Sequence, residues 1–351
     1  MNTAEDFRYM TDSFRATGAP LYARICEAAA SDDAIIEIAA RVPAGQPPAI
    51  LFLAAAHFVL SHAADEPLAA FYPSLTPTPR TGPELYPIFR EFCLRHRQQI
   101  EQLVASRTVQ LTSADRATYI LFALSHVAGE ANAPLHVIEV GASAGLCLMF
   151  DQFRHDLGGS HFLGPEDSPV RVQHHFRGAP PPLPRTLPPI ASRTGIDLMP
   201  LDAGRQEQAD WVLTSMYPDW RDESCRLRAA LAMRREYPLH MIAGDAMAVL
   251  PTLVRSTPDP ICVLHSACLY QWPAEARARF GKLLRELSTG RTLYRVGIEP
   301  ESIGREERRR MYRAGQEPHV DMELTIYRSG THESRQLARC EGFGRWIEWL
   351  A

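Results

Sequence analysis

The stretch Leu135-His136-Val137-Ile138-Glu139-Val140-Gly141-Ala142-Ser143-Ala144-Gly145 decides the fold. Its first six residues form a short apolar run with three β-branched members, which predicts a buried strand. A glycine-bounded turn follows, and residues 146–157 predict a helix. A strand, a tight turn and a helix in succession open a parallel α/β sheet. The theme returns downstream. Residues 239–243 predict a strand ending in Gly244-Asp245, with a helix over 246–254. Residues 261–265 predict another strand, followed by a helix over 273–287, and a strand over 292–298 ends at Glu299. The chain closes on strands over 322–327 and 334–340, separated by Arg328-Ser329-Gly330-Thr331-His332, which reads as a hairpin.

Upstream of residue 130 the character differs. Short amphipathic stretches are broken by Gly18-Ala19-Pro20, Pro43-Ala44-Gly45 and Gln46-Pro47-Pro48. Residues 86–104 predict one long helix with Ile88, Phe89, Phe92, Ile100, Leu103 and Val104 on its apolar side, and 115–128 predict another. No strand pattern stands out. The expected organisation is an all-helical domain over 1–130, able to cover a site, and a sheet domain over 131–351. A length of 351 residues suits about two domains. There are 28 prolines, about 8% of the chain against an average near 5%. Six of them fall within the twelve residues 178–189, where they exclude a helix or a central strand and predict a stiff connector before a strand at 190–198.

Composition excludes several classes. With 46% hydrophobic and 22% charged residues the chain can bury a sizeable core. A net charge of −4 argues against a protein that mainly neutralises nucleic-acid phosphate. The seven cysteines contain no C-x-x-C pair, so neither a disulfide framework nor a zinc site is expected. His57 and His62 are five apart, whereas helical zinc pairs are usually four apart, and no metal is expected there. The acidic N-terminus lacks an apolar signal core, and no apolar run approaches membrane-spanning length. The expectation is a cytoplasmic protein acting on a small molecule, without nucleic-acid or membrane partners.

The turn after residue 140 admits two chemistries. Glu139-x-Gly141-x-Ser143-x-Gly145 resembles the acidic-x-Gly-x-Gly-x-Gly turn of class I S-adenosylmethionine-dependent methyltransferases, with Ser143 in place of the middle glycine. In that fold glycine lets the backbone approach the cofactor, the acidic residue holds its amino-acid portion, and the helix N-terminus faces the ligand. The resemblance implies a Rossmann-like, methyltransferase-type sheet whose seventh strand is reversed. Gly141-Ala142-Ser143-Ala144-Gly145 also reads as Gly-x-Ser-x-Gly, a nucleophile elbow, with Ser143, Asp245 and His265 in hydrolase order. A hydrolase elbow normally follows several strands, whereas this one follows the first. The third alternative is a binding module with a degenerate pocket.

Several segments resemble the bacterial family of uncharacterised proteins called DUF2332. They are Gly18-Ala19-Pro20-Leu21-Tyr22, Ala55-Ala56-His57, Phe71-Tyr72-Pro73-Ser74, Ile138 to Leu146 with Asp151, Arg193-Thr194-Gly195-Ile196-Asp197-Leu198 with Pro200 and Asp202, and Gly244-Asp245-Ala246. The family's Asn-Glu pair is absent around Thr112-Ser113, and Cys147 stands where the family commonly has Asn.

The resulting candidates all belong to strand ends. Glu139, Gly141, Ser143 and Gly145 would cradle S-adenosylmethionine, with Asp197 at the ribose and Asp245 at the adenine. Asp197 lies 58 residues beyond Glu139, much farther than the usual gap of about 20, so an insertion is required. His265, Tyr270 and Glu299 share the face expected to meet a methyl acceptor, with His265 as a proton acceptor. The mixed charges of Arg305 to Arg313 predict a solvated helix face bordering that pocket.

Overall fold

A computed structural model of the chain describes residues 2–63, 65–300 and 304–351. The chain is a mixed α/β protein with a helical N-terminal region, and it divides into two compact units. The first comprises Met1–Thr112, Arg205–Arg228 and Ile303–Glu317, and the second Ser113–Gly204, Ala229–Ser302 and Pro318–Ala351.

The first unit begins with α1 (Thr3–Ala16), α2 (Pro20–Ala29), α3 (Asp33–Ala39), α4 (Pro48–Ser61), α5 (Leu85–Arg95) and α6 (Arg97–Ser106). Helix α7 (Ala117–Ala131) belongs to the second unit. Helix α8 (Gln206–Ser215) and the start of α9 (Arg221–Glu236) return to the first. After α10 (Ala246–Ser256) and α11 (Ala274–Leu287) of the second unit, α12 (Arg305–Arg313) returns again. Local chemistry sets the starts. Asn2 accepts a hydrogen bond from the Ala4 N–H, Asp32 accepts from Ala34 and Ile35, and prolines open α2 and α4. The stretch 86–104 is two helices rather than one. They meet at His96, whose backbone leaves helical geometry and whose Nε2 bonds Glu66 at 3.0 Å. Helix α12 is not a freely solvated face. Arg305 pairs with the buried Asp6 at 2.6 Å, while Arg309 and Arg313 share Asp12 of α1 at 2.8 and 2.9 Å.

The second unit is built on strands. They are β1 (Leu135–Val140), β2 (Arg154–Asp156), β3 (Phe162–Leu163), β4 (Arg171–Gln173), β5 (Phe176–Arg177) and β6 (Ile190–Asp197). Then come β7 (His240–Ala243), β8 (Ile261–Ser266), β9 (Thr292–Pro300), β10 (Val320–Arg328), β11 (Thr331–Cys340) and β12 (Ile347–Trp349). Among the described residues nine form one sheet in the order β5-β12-β11-β10-β9-β8-β1-β6-β7, and β3-β2-β4 form a small second one. Strands β7, β6, β1, β8 and β9 run parallel, and Val140 lies between Ile196 and His265. The chain leaves β1 toward β6 and β7, then reappears on the other side at β8. The carboxyl ends of β1 and β8 are therefore a topological switch point, where open α/β sheets form ligand crevices. One face of the sheet buries Ile138, Val140, Ile261 and Val263 against Leu250, Val254, Phe280 and Leu284 of α10 and α11.

Two further expectations change. Residues 146–157 do not form an α-helix. They make a 3-10 turn, Cys147–Gln152, and enter β2. Cys147, Leu148, Met149 and Phe150 are all buried, which leaves no polar stripe for an amphipathic helix, and Arg193 of β6 grips both Asp151 carboxylate oxygens at 2.7 and 2.9 Å. The second change concerns the reversed strand. The C-terminal hairpin is present as β10 and β11, but the strand antiparallel to β9 is its first, β10, whereas the methyltransferase resemblance put the reversal in a seventh strand. The hairpin is tighter than expected, because Ser329 and Gly330 both take left-handed backbone and close it in two residues.

The turn after β11 is tightly seated. Gly344 has φ +97°, and a Cβ there would overlap the Asp115 backbone carbonyl. Gly330 has φ +82° but opens on free space. Gly344→Ala is therefore expected to cost about 3 kcal/mol and Gly330→Ala about 1 kcal/mol, compared by urea unfolding of each variant against the parent. Equal costs at the two positions would contradict this packing.

Candidate functional site

The carboxyl ends of β1, β6, β8 and β9, with the turns that follow them, hold eight of the nine candidate residues, all but Asp245. Gly141 has φ +76°, and a Cβ at this position would overlap the Cys268 side chain. Glycine is thus required by the neighbouring β8 loop, before any ligand is considered. Gly145 has φ +78°, and its Cβ would press Leu239 at 2.7 Å. Ser143 takes left-handed backbone at φ +50°, and its N–H donates to Asp197 Oδ2 at 2.8 Å. The other Asp197 oxygen accepts from the Met199 N–H at 2.9 Å. Asp197 therefore braces the glycine turn from the end of β6. Because the segment after Gly145 is a short 3-10 turn, no helix N-terminus is available there to face an anion.

Across the switch point Glu299, at the end of β9, does the same for the loop after β8. Its Oε1 accepts from Leu269 and Cys268 N–H at 2.9 and 3.2 Å, and its Oε2 from the Tyr270 N–H at 3.2 Å. The same Oε1 lies 2.6 Å from His265 Nδ1. The second ring nitrogen, Nε2, accepts from Arg295 Nε at 2.9 Å. Burial lowers the His265 pKa, which Glu299 opposes and Arg295 reinforces. Burial raises the Glu299 carboxyl, but His265 and the backbone donors outweigh it and hold the group below its usual range. His265 is completely buried with both nitrogens engaged, so it positions Glu299 and the loop rather than meeting a substrate. Tyr270 projects from that loop as an exposed side chain.

Glu139 is the exception among these carboxylates. It is buried, and its Oε2 has no hydrogen-bond partner. Burial, reinforced by Asp197, raises its pKa to about 8 against the opposing effects of the Cys147 thiol and Arg116. A thiol is a weak donor, so Cys147 leaves the carboxylate under-satisfied. Ser143 Oγ is likewise buried without a partner. Asp245 stands apart. It is exposed and caps α10 through the Met247 N–H at 2.8 Å. Ser143, Asp245 and His265 share no hydrogen bond, and His265 is spent on Glu299 and Arg295. The hydrolase triad is not assembled.

Sequence reasoning missed Arg116, Tyr119, Ser266 and Cys268. Tyr119 of α7 is buried with its hydroxyl 3.1 Å from Ser266 Oγ, and the Arg116 Nε donates to the Gly342 carbonyl at 3.2 Å. No motif marks these residues. Only Cys147 carried a signal, as a departure from the family pattern.

The chain belongs to the family described as an uncharacterized protein conserved in bacteria (DUF2332), whose model matches residues 4–349. Comparison with curated proteins and with solved structures gives no match. Among the described residues, no helix is long and apolar enough to cross a membrane.

Glu139 makes a stability test. Its folded pKa lies above the unfolded value, so its contribution is fully present below about pH 4 and is lost as pH rises through about 8. Glu139→Gln keeps the shape without the charge. The variant is expected to melt near the parent at pH 5 and several degrees above it at pH 8.5, read by thermal unfolding at both pH values. A variant that melts below the parent at pH 8.5 would show that the ionised carboxylate is stabilising.

Proposed function

We propose that the sheet unit binds S-adenosylmethionine at the carboxyl ends of β1 and β8 and transfers its methyl group to a small molecule. One observation carries the reading: a buried carboxylate, Glu139, has an oxygen with no partner at the switch point of a parallel sheet. Such a group calls for a donor-rich cation. The ammonium of S-adenosylmethionine meets that need, whereas a dinucleotide pyrophosphate would bring negative charge beside another carboxylate. The residues therefore fit the cofactor at its amino-acid end. The reversed β10 and the missing helix after Gly145 depart from the methyltransferase pattern, so the proposal rests on Glu139 and not on topology alone.

Each chain residue then has a defined task. Glu139 holds the ammonium, and the Ser143 hydroxyl offers a second polar contact. Asp197 braces the turn with one lone pair on each oxygen and has others left for ribose hydroxyls. Asp245 sits at the adenine end of the edge. When bound, the cofactor supplies an electrophilic methyl on a sulfonium. Alignment is the protein's main contribution to such a transfer. Glu299 and His265 fix the 268–271 turn, and Tyr270 faces the acceptor from it.

Thermal-shift titration tests the reading. S-adenosylmethionine and its demethylated product are expected to raise the melting temperature by several degrees at a hundredfold excess over Kd, and NAD is expected to have no effect. Glu139→Gln should weaken binding at least tenfold. Because Glu139 must release its proton to receive a cation, affinity should rise between pH 6 and 7.5, by up to tenfold per unit. No shift with either sulfur compound, or a shift with NAD alone, would sink the proposal.

A further inference from the structure

The first unit holds a polar cavity of its own. A cavity of about 330 Å³ is lined by His57 and Ser61 of α4, Ser74, Thr214 of α8, and Arg221 and Arg228 of α9. Ala55-Ala56-His57 and Phe71-Tyr72-Pro73-Ser74, two of the segments that carry the family resemblance, meet at its wall. His57 is buried, with Nδ1 3.0 Å from the Thr214 carbonyl and Nε2 2.8 Å from Ser74 Oγ.

Those two bonds fix the tautomer. A backbone carbonyl only accepts, so Nδ1 carries the proton and donates to Thr214. Nε2 is then an acceptor, and the Ser74 hydroxyl donates to it. The Tyr72 ring, 5.2 Å from the imidazole, packs against it and limits its rotation. Burial lowers the His57 pKa to about 4, against the opposing Thr214 bond, so the ring is neutral at neutral pH and its Nε2 lone pair is unprotonated. A hydroxyl aimed at a base, with the base oriented by a third group, is the arrangement of an activated nucleophile.

We propose that Ser74 is a nucleophile and His57 its general base, and that the cavity takes small esters bearing a negative charge. The charge preference follows from Arg221 and Arg228, which line the cavity with Asp210 as the one acidic side chain beside them among the described residues. Ser74 Oγ bonds to the ester carbonyl carbon as its proton passes to His57 Nε2. The carbon–oxygen bond to the alcohol then breaks, and the same proton leaves with the alkoxide. Water reverses the path, giving its proton to His57 and its oxygen to the acyl carbon. The acid departs and Ser74 regains its proton. Thr214 acts only as a positioning group.

The test uses the full chain and a fluorophosphonate probe, with the modified residue located by mass spectrometry. Labelling is expected at Ser74, lost in Ser74→Ala and at least tenfold slower in His57→Gln. Because Ser74→Ala leaves a buried imidazole without its donor, its folding is checked by thermal unfolding. A Ser74→Cys variant in a Cys225→Ser background supplies an independent readout, with the introduced thiol expected to react with iodoacetamide at least tenfold faster than Cys268. The nitrophenyl ester of succinate should be cleaved faster than that of butyrate, and Arg228→Gln should reduce that preference about tenfold. No labelling of the folded protein, labelling confined to Ser143, or an unreactive thiol in Ser74→Cys would each overturn the proposal. Apart from labelling at Ser143, which would count against both readings, none of these outcomes touches S-adenosylmethionine binding in the other unit.

Discussion

The arrangement of the sheet unit depends on one constraint: β1 and β8 are parallel neighbours whose following loops must leave in opposite directions. Both loops start in left-handed backbone, at Gly141 and Ser143 on one side and at Ala267 on the other. Left-handed conformations cost energy for residues with a Cβ, so each needs bracing. Asp197 and Glu299 supply it from the flanking strands by accepting backbone N–H groups. Ion–dipole bonds of this kind are stronger than neutral ones.

Set against those two, Glu139 is unusual. It lies between them on the central strand, where the Cys147 thiol and the Arg116 guanidinium only partly offset burial and the nearby Asp197 carboxylate. A buried polar atom without a partner costs about 1–3 kcal/mol, a penalty that a ligand donor would relieve. The functional reading follows from that contrast and not from the glycines, whose conformations are already explained by Cys268 and Leu239.

Much of the fold was legible in the sequence. Strands at 135–140 and 261–266 are short apolar runs and are buried along nearly their whole length, whereas 190–197 carries Ser192, Arg193 and Thr194 and, like 240–243, is largely part-exposed. The proline-rich connector was legible for a steric reason, since proline lacks the N–H a strand needs. The helix expected after Gly145 was not, because four buried residues in succession fit a core turn as well as a helix, and Arg193, 42 residues away, decides between them. The site was legible only in part. Glu139, Asp197 and Glu299 stand out in the sequence as carboxylates at strand ends, but their different surroundings depend on which backbone donors lie within reach.

The sequence by itself determined the alternation of strands and helices, the glycine turn and the helical N-terminal region, because these follow from local periodicity and backbone sterics. Tertiary structure alone decided that α12 joins the first unit through Asp6 and Asp12, that His265 is sealed between Glu299 and Arg295, and that His57 meets Ser74. Each of these is a contact between residues far apart in the chain or on different elements. Their energy comes from desolvation and hydrogen-bond geometry, which no local pattern encodes.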